Sequence, residues 1–264
     1  MNLNYSVAIS GKTAFVGFPD ANEGYGAVVV YEQNEFGVWE KVEDPFIRDA
    51  GFTYDHNSKS SYYFGQNLDI DGDLACVGDS IFRKDGNRWV QIDRIDGPVY
   101  GDRALCSIAG DTIAIDIGRG RGVELYKYNT NLDGRVPLQD PIPTGTGWDL
   151  VSSRSLDLSR DYLVYTGDLL DIVIYRWEET NQTFVLLQQP NVYDPDLYTV
   201  NQLALDKDIL ILGRISNTHV FSEKNGIWEE TITLNQSYDS YQLTGRTTKT
   251  ISVITGRDGV DDRL

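Results

Sequence analysis

Residues 68–79, LDIDGDLACVGD, carry the reading that decides the fold: an apolar-alternating strand, a tight turn at Gly72, and a second strand closing at a glycine. The phrase recurs on either side as SVAISGKTAFVGFPD (6–20), CSIAGDTIAIDIG (106–118), LDLSRDYLVYTGD (156–168), LALDKDILILGR (203–214) and YQLTGRTTKTISVITG (241–256). Aligned on Gly11, Gly72, Gly110, Arg160, Lys207 and Gly245, the copies repeat at a mean spacing of about 40 to 50 residues, the size of a propeller blade. Two further runs follow each of the first five copies, such as GAVVVYE (26–32) and VWEKVED (38–44) after the first.

These runs predict an all-β chain, a β-propeller of four-stranded antiparallel blades with five full blades plus a partial sixth. The blades fall at roughly 6–44, 65–94, 101–140, 153–189, 201–234 and, for the partial one, 240–257, within a single domain spanning 1–264. Val, Ile, Leu, Tyr and Phe fill the second strands almost without interruption, as a strand covered on both faces requires. Fourth strands such as VWEKVED alternate apolar and charged residues, the pattern of a half-exposed outer edge. Glycine at four of the six turns supplies the positive φ of a two-residue hairpin, whereas Arg160 and Lys207 adopt it only at a cost of about 1 kcal/mol.

The stretch DPFIRDAGFTYDHNSKSSYY (44–63) reads as an insertion or long inter-blade loop. Loops of this length are disproportionately functional or disordered, so Phe52, Tyr54, Tyr62 and Tyr63 form a candidate partner-binding loop, with a plain connection as the other reading. The sixth copy supplies two strands before RDGVDDRL, so the ring is expected to be an incompletely closed one or a piece of a longer propeller. Such an open edge invites edge-mediated association or a missing chain segment.

The phrases SVAISGKTAFVGFPD and YYFGQNLDIDGDLACVGD resemble the FG-GAP repeats of integrin α-subunit propellers. Phe64-Gly65 stands where the family has its FG dipeptide, Tyr100-Gly101 is a near match, and Gly17-Phe18-Pro19 is nearest to the GAP tripeptide. The resemblance implies a propeller whose loops bind proteins or glycans, a cell-surface or extracellular setting by analogy, and in several members a calcium loop. The sequence departs from the calcium pattern: its two-residue turns lack the 6 to 8 oxygen ligands calcium takes. Asp69, Asp71 and Asp73 therefore read as turn chemistry, and no metal or other cofactor is expected.

With 23 basic against 40 acidic residues the net charge is −17, which repels phosphate backbones and anionic lipid. Nucleic acid and membrane insertion are disfavoured, leaving a protein partner or a glycan. Cys76 and Cys106, each in an apolar run, read as buried reduced thiols. The N-terminus shows no signal-peptide pattern, and the sequons at Asn4, Asn181 and Asn235 are no more than chance produces, so the compartment stays undetermined.

No catalytic motif is present. His56 and His219 lie in different repeats without a nucleophile motif beside either, and read as surface or core-edge residues. Glycine followed by tryptophan at Gly37-Val38-Trp39, Gly86-Asn87-Arg88-Trp89 and Gly226-Ile227-Trp228 reads as a turn with a packing indole. The function indicated is a non-catalytic interaction module binding a protein through inter-blade loops. A lectin-like or glycosidase-like propeller is the alternative, since 40 acids allow carboxylate pairs that meet only in the fold.

Overall fold

Alternating apolar strands joined by tight turns cannot cover their own faces, and in the computed structural model they stack against their siblings. The structure describes residues 6–19, 21, 26–47, 64–95, 104–116, 122–129, 134–143, 155–166, 172–190, 202–213, 217–235, 241–247 and 250–255. Five four-stranded antiparallel sheets are arranged as a β-propeller. Blade 1 comprises β1 (Ser6–Ser10), β2 (Thr13–Phe18), β3 (Ala27–Gln33) and β4 (Trp39–Ile47). Blade 2 comprises β5 (Leu68–Asp71), β6 (Leu74–Val77), β7 (Ser80–Asp85) and β8 (Arg88–Arg94). Blade 3 follows with β9 (Leu105–Ala109), β10 (Thr112–Asp116), β11 (Val123–Asn129) and β12 (Gly134–Pro137). Blade 4 has β13 (Leu156–Leu158), β14 (Tyr162–Thr166), β15 (Ile172–Glu178) and β16 (Thr183–Gln188). Blade 5 has β17 (Gln202–Asp206), β18 (Ile209–Gly213), β19 (Asn217–Lys224) and β20 (Ile227–Asn235). A two-stranded sheet, β21 (Tyr241–Thr247) with β22 (Thr250–Thr255), lies beside β17 and β1.

Within each blade the strands pair in chain order, and the first strands β1, β5, β9, β13 and β17 contact one another in succession. The core is divided among the seams. Phe15 and Val28 of blade 1 meet Ile70 and Phe82 of blade 2, while Ile81 of blade 2 meets Ile108 and Ile113 of blade 3. Leu125 of blade 3 meets Leu158 and Leu163 of blade 4, and Val164 and Ile174 of blade 4 meet Leu210 and Phe221 of blade 5. Each such side chain stabilises its seam by about 1.5–3 kcal/mol, so neighbouring blades stabilise one another.

The two cysteines correct the thiol reading. Cys76 on β6 and Cys106 on β9 form a disulfide across the seam of blades 2 and 3, with Cα atoms 6.2 Å apart. The seam brings the second strand of one blade against the first strand of the next, within disulfide reach. A sequence separation of 30 conceals that proximity.

Two local readings also change. Residues 44–47 belong to β4 rather than to an insertion: after a register shift, Phe46 and Ile47 pair with Val29 and Val28. Pro45 is tolerated there because an outer strand need not donate its N–H. At the turns, Gly11, Gly72 and Gly110 take φ near +60°, and Lys207 takes +51°. Arg160 does not follow them. Its turn is held instead by Ser159, whose Oγ accepts the Tyr162 N–H at 2.9 Å and whose N–H donates to the Tyr162 carbonyl at 2.7 Å.

Candidate functional site

The first strands carry an extended polar array. A first strand has one neighbour in its own sheet, so half of its backbone N–H groups need acceptors from elsewhere. Side chains of the preceding blade supply them. Asp69 Oδ2 accepts the Ile108 N–H at 2.8 Å and the Ser107 hydroxyl at 2.7 Å. Ser107 Oγ in turn accepts the Leu158 N–H at 3.0 Å, and Asp157 Oδ2 accepts the Leu205 N–H at 2.6 Å. One turn further along, Ser10 Oγ accepts from Gly72 at 3.0 Å and Asp71 Oδ2 from Gly110 at 2.7 Å. Asp69, Ser107 and Asp157 occupy the same register in β5, β9 and β13, where blades 1 and 5 carry Ala8 and Ala204.

Asp69 and Asp71, two of the three acids considered as a calcium loop, thus hold the next blade. Among the described residues no group of three or more His, Cys, Asp or Glu is placed to hold a metal ion. Asp69 and Asp157 both reach Ser107 Oγ, the latter at 3.0 Å, so the two carboxylates converge on one hydroxyl with backbone donors on each. The sequence signal for this array is the recurring Leu-Asp-Ile/Leu of β5 and β13, which the turn-centred reading passed over.

A second set of bridges joins the outer strands. Arg135 Nη1 donates to Asp93 Oδ2 at 2.5 Å across blades 2 and 3, and its guanidinium lies over the Tyr126 ring at 5.2 Å. Burial together with the adjacent Glu124 pushes the Tyr126 phenol up to about 12. Gln139 Oε1 accepts the Phe184 N–H at 2.7 Å across blades 3 and 4, and Gln188 clasps both backbone groups of Trp228, at 2.8 and 2.9 Å, across blades 4 and 5. Trp228 stands edge-on to Tyr162 at 5.2 Å and Trp89 edge-on to Phe15 at 4.9 Å, so these two glycine–tryptophan hairpins pack as read. Trp39 does not; it is exposed.

Trp39 belongs to a different kind of surface. The β3–β4 hairpin of blade 1 presents Phe36 at 82% exposure with Val38 and Trp39 beside it. The tip is ordered by Asn34, whose Oδ1 accepts the N–H groups of Phe36 and Val38, both at 3.0 Å, and whose Nδ2 donates to Glu40 at 2.8 Å. Gln33 Nε2 donates to the Gly37 carbonyl at 2.9 Å. Below the tip, a cleft of about 380 Å³ between the outer strands of blades 1 and 2 is lined by Glu32, Glu40, Lys41, Val42, Asn87 and Arg88 among others. Lys84 reaches across this seam to Glu32 at 2.7 Å. Sequence reasoning missed Phe36, although NEFGV breaks from the polar tips KDGN and EKNG of blades 2 and 5.

His219 is buried on β19, with Nδ1 2.8 Å from Glu230 Oε1. Burial raises the Glu230 carboxyl, but the Thr233 hydroxyl and His219 outweigh it and hold the group below its ordinary range. Phe52, Tyr54, Tyr62, Tyr63 and His56 lie outside the described residues.

No known family profile matches the chain, and no curated protein matches it in sequence. Solved structures do. A functionally unknown protein from Desulfotomaculum acetoxidans aligns with a TM-score of 0.61 at 11% identity, over 89% of this chain and 71% of that one. A candidate 6-phosphogluconolactonase from Bacteroides fragilis aligns with a TM-score of 0.57 at 12% identity, over 87% and 69%. The WD40 repeats of RRP9 align with a TM-score of 0.56 at 13% identity, over 87% and 66%. At such identities the likeness defines one thing, the β-propeller fold.

Proposed function

We propose that the chain is a non-catalytic propeller module that binds a protein partner at its rim. The observation that carries this reading is the commitment of Asp69 and Asp157. The acids of the first strands, where a propeller enzyme would place its chemistry, are engaged by the backbone N–H groups of Ile108 and Leu205. A carboxylate so engaged is a poor base or nucleophile. The apolar side chains offered to solvent, among them Phe36, Val90, Val136 and Leu186, lie on outer strands and a hairpin tip instead.

The wider frame belongs to the same proposal. The whole chain is one propeller domain in which β21 and β22 are the first half of a sixth blade, and it is kin to the FG-GAP repeat proteins. The contact of Phe64-Gly65 with blade 1 supports that kinship. Phe64 bridges to Gly26, and Gly65 lies so close to Gly17 that a Cβ on Gly17 would stand 1.8 Å from the Gly65 carbonyl oxygen. The Cys76–Cys106 disulfide fits an oxidising, cell-surface or extracellular setting.

The test is a hydrolysis assay of the full chain on 6-phosphogluconolactone and aryl glycosides, alongside Asp69→Asn and Asp157→Asn. The proposal predicts no turnover by any of the three. Turnover lost in a folded Asp157→Asn would replace it with an enzyme.

A further inference from the structure

The fold separates the Asn-x-Ser/Thr triplets that the sequence leaves equal. Asn4 lies outside the described residues, as does Ser237 of the Asn235 triplet. Asn181-Gln182-Thr183 occupies the tip of the β15–β16 hairpin in blade 4. Glu178 pairs with Thr183 to close the turn, and Glu179, Thr180, Asn181 and Gln182 are all exposed. The turn sets Asn181 in place: its Nδ2 donates to Glu178 Oε2 at 3.1 Å, and Gln182 takes φ +50° as the chain turns back into β16.

An exposed primary amide on a hairpin tip can carry a bulky polar group without displacing the core. Linking Nδ2 to a sugar leaves the amide one N–H, enough to keep the bond to Glu178. Thr183 supplies the hydroxyl of the triplet. In the folded chain that hydroxyl donates to Gln139 Oε1 at 2.8 Å across the seam of blades 3 and 4, so the triplet is open to modification before that seam closes.

A second observation is independent of the triplet. The Cys76–Cys106 disulfide, buried between blades 2 and 3, belongs to an oxidising environment, and glycosylation of Asn-x-Ser/Thr marks surface loops of secreted chains. The triplet and the disulfide thus point to one compartment.

We infer that Asn181 is an N-linked glycosylation site. Its Nδ2 bonds to the anomeric carbon of an oligosaccharide presented on a polyprenyl pyrophosphate. The bond from that carbon to the pyrophosphate oxygen breaks, the carrier departs as its pyrophosphate, and one amide proton passes to a base of the transferase. The glycan is a bulky, hydrated cap on the tip of blade 4. The inference rests on the cell-surface or extracellular reading above and adds a modification that such a setting performs.

The experiment recovers the affinity-tagged full chain from the cells that make it and maps its peptides by mass spectrometry, before and after treatment with peptide N-glycosidase. That enzyme turns a glycosylated asparagine into aspartate, so the readout identifies the residue. The wild-type peptide holding Asn181 should show this conversion, with a gel shift to smaller mass. Asn181→Gln should lose the modification from that peptide, and Thr183→Ser, which keeps a hydroxyl, should retain it. A map without reductant reads the Cys76–Cys106 link in the same sample. An intact disulfide with unmodified Asn181 overturns the inference and leaves the setting standing. Reduced cysteines with unmodified Asn181 overturn both, and conversion at Asn4 or Asn235 but not at Asn181 overturns the assignment.

Discussion

Asp69 of blade 2 accepts the backbone N–H of Ile108 in blade 3 at 2.8 Å, while its own neighbour Ile70 donates to the other oxygen, also at 2.8 Å. One carboxylate thereby satisfies a donor on its own strand and one on the next blade. Asp157 repeats the arrangement with Leu158 and Leu205. Removing the acceptor leaves N–H groups unpaired beside a dry core, at about 1–3 kcal/mol for each group. Asp69→Ala and Asp157→Ala should each lower the unfolding free energy by about 2–3 kcal/mol in denaturant titrations. Asp73→Ala, at the exposed turn, should change it by less than about 0.5 kcal/mol.

The Cys76–Cys106 disulfide closes a loop of 30 residues. Reduction should cost about 3 to 4 kcal/mol through the enlarged unfolded ensemble. Unfolding midpoints with and without reductant measure this directly, and Cys76→Ser should abolish the difference.

Gly17 and Gly11 separate two roles of glycine. Gly11 takes φ +57° with open space where a Cβ would stand, so Gly11→Ala should cost about 1 kcal/mol from backbone strain. A Cβ on Gly17 would overlap the Gly65 carbonyl and crowd Ser6 Oγ. Gly17→Ala must open the seam between blades 1 and 2 and should cost about 3 kcal/mol, read from the same titrations.

Glu230 gives stability a pH dependence. Its carboxyl lies below the ordinary range in the folded chain, so its stabilising contribution is present above the unfolded glutamate pKa, about 4.3, and is lost as pH falls through the lower folded value. Glu230→Gln should therefore flatten the acid limb of the stability profile below about pH 4.5.

Much of the architecture was legible because it is repeated. A two-strand phrase closing at glycine announces itself when it recurs in every blade, and burial of β6, β10 and β14 follows from their unbroken apolar composition. What the sequence concealed depends on neighbours far along the chain. Cys76 and Cys106 meet because one blade's second strand faces the next blade's first, which no local pattern encodes. Asp69 reads as turn chemistry until Ile108 stands beside it. Arg160 is spared the left-handed conformation by Ser159, whose hydroxyl replaces the geometry that glycine provides elsewhere. The exposed Phe36 was hidden for the opposite reason: it is visible only as an exception to Asp85 and Asn225 at the matching places of blades 2 and 5.

The central claim is that the first-strand acids hold neighbouring blades together rather than attend to a substrate. Amide hydrogen exchange of Ile108 and Leu205 in the wild-type chain, Asp69→Ala and Asp157→Ala tests it most directly. The account predicts protected amides in the wild type, with Asp69→Ala releasing Ile108 but not Leu205 and Asp157→Ala releasing Leu205 but not Ile108. Rapid exchange of both in the wild type, or protection unchanged in the variants, would contradict it.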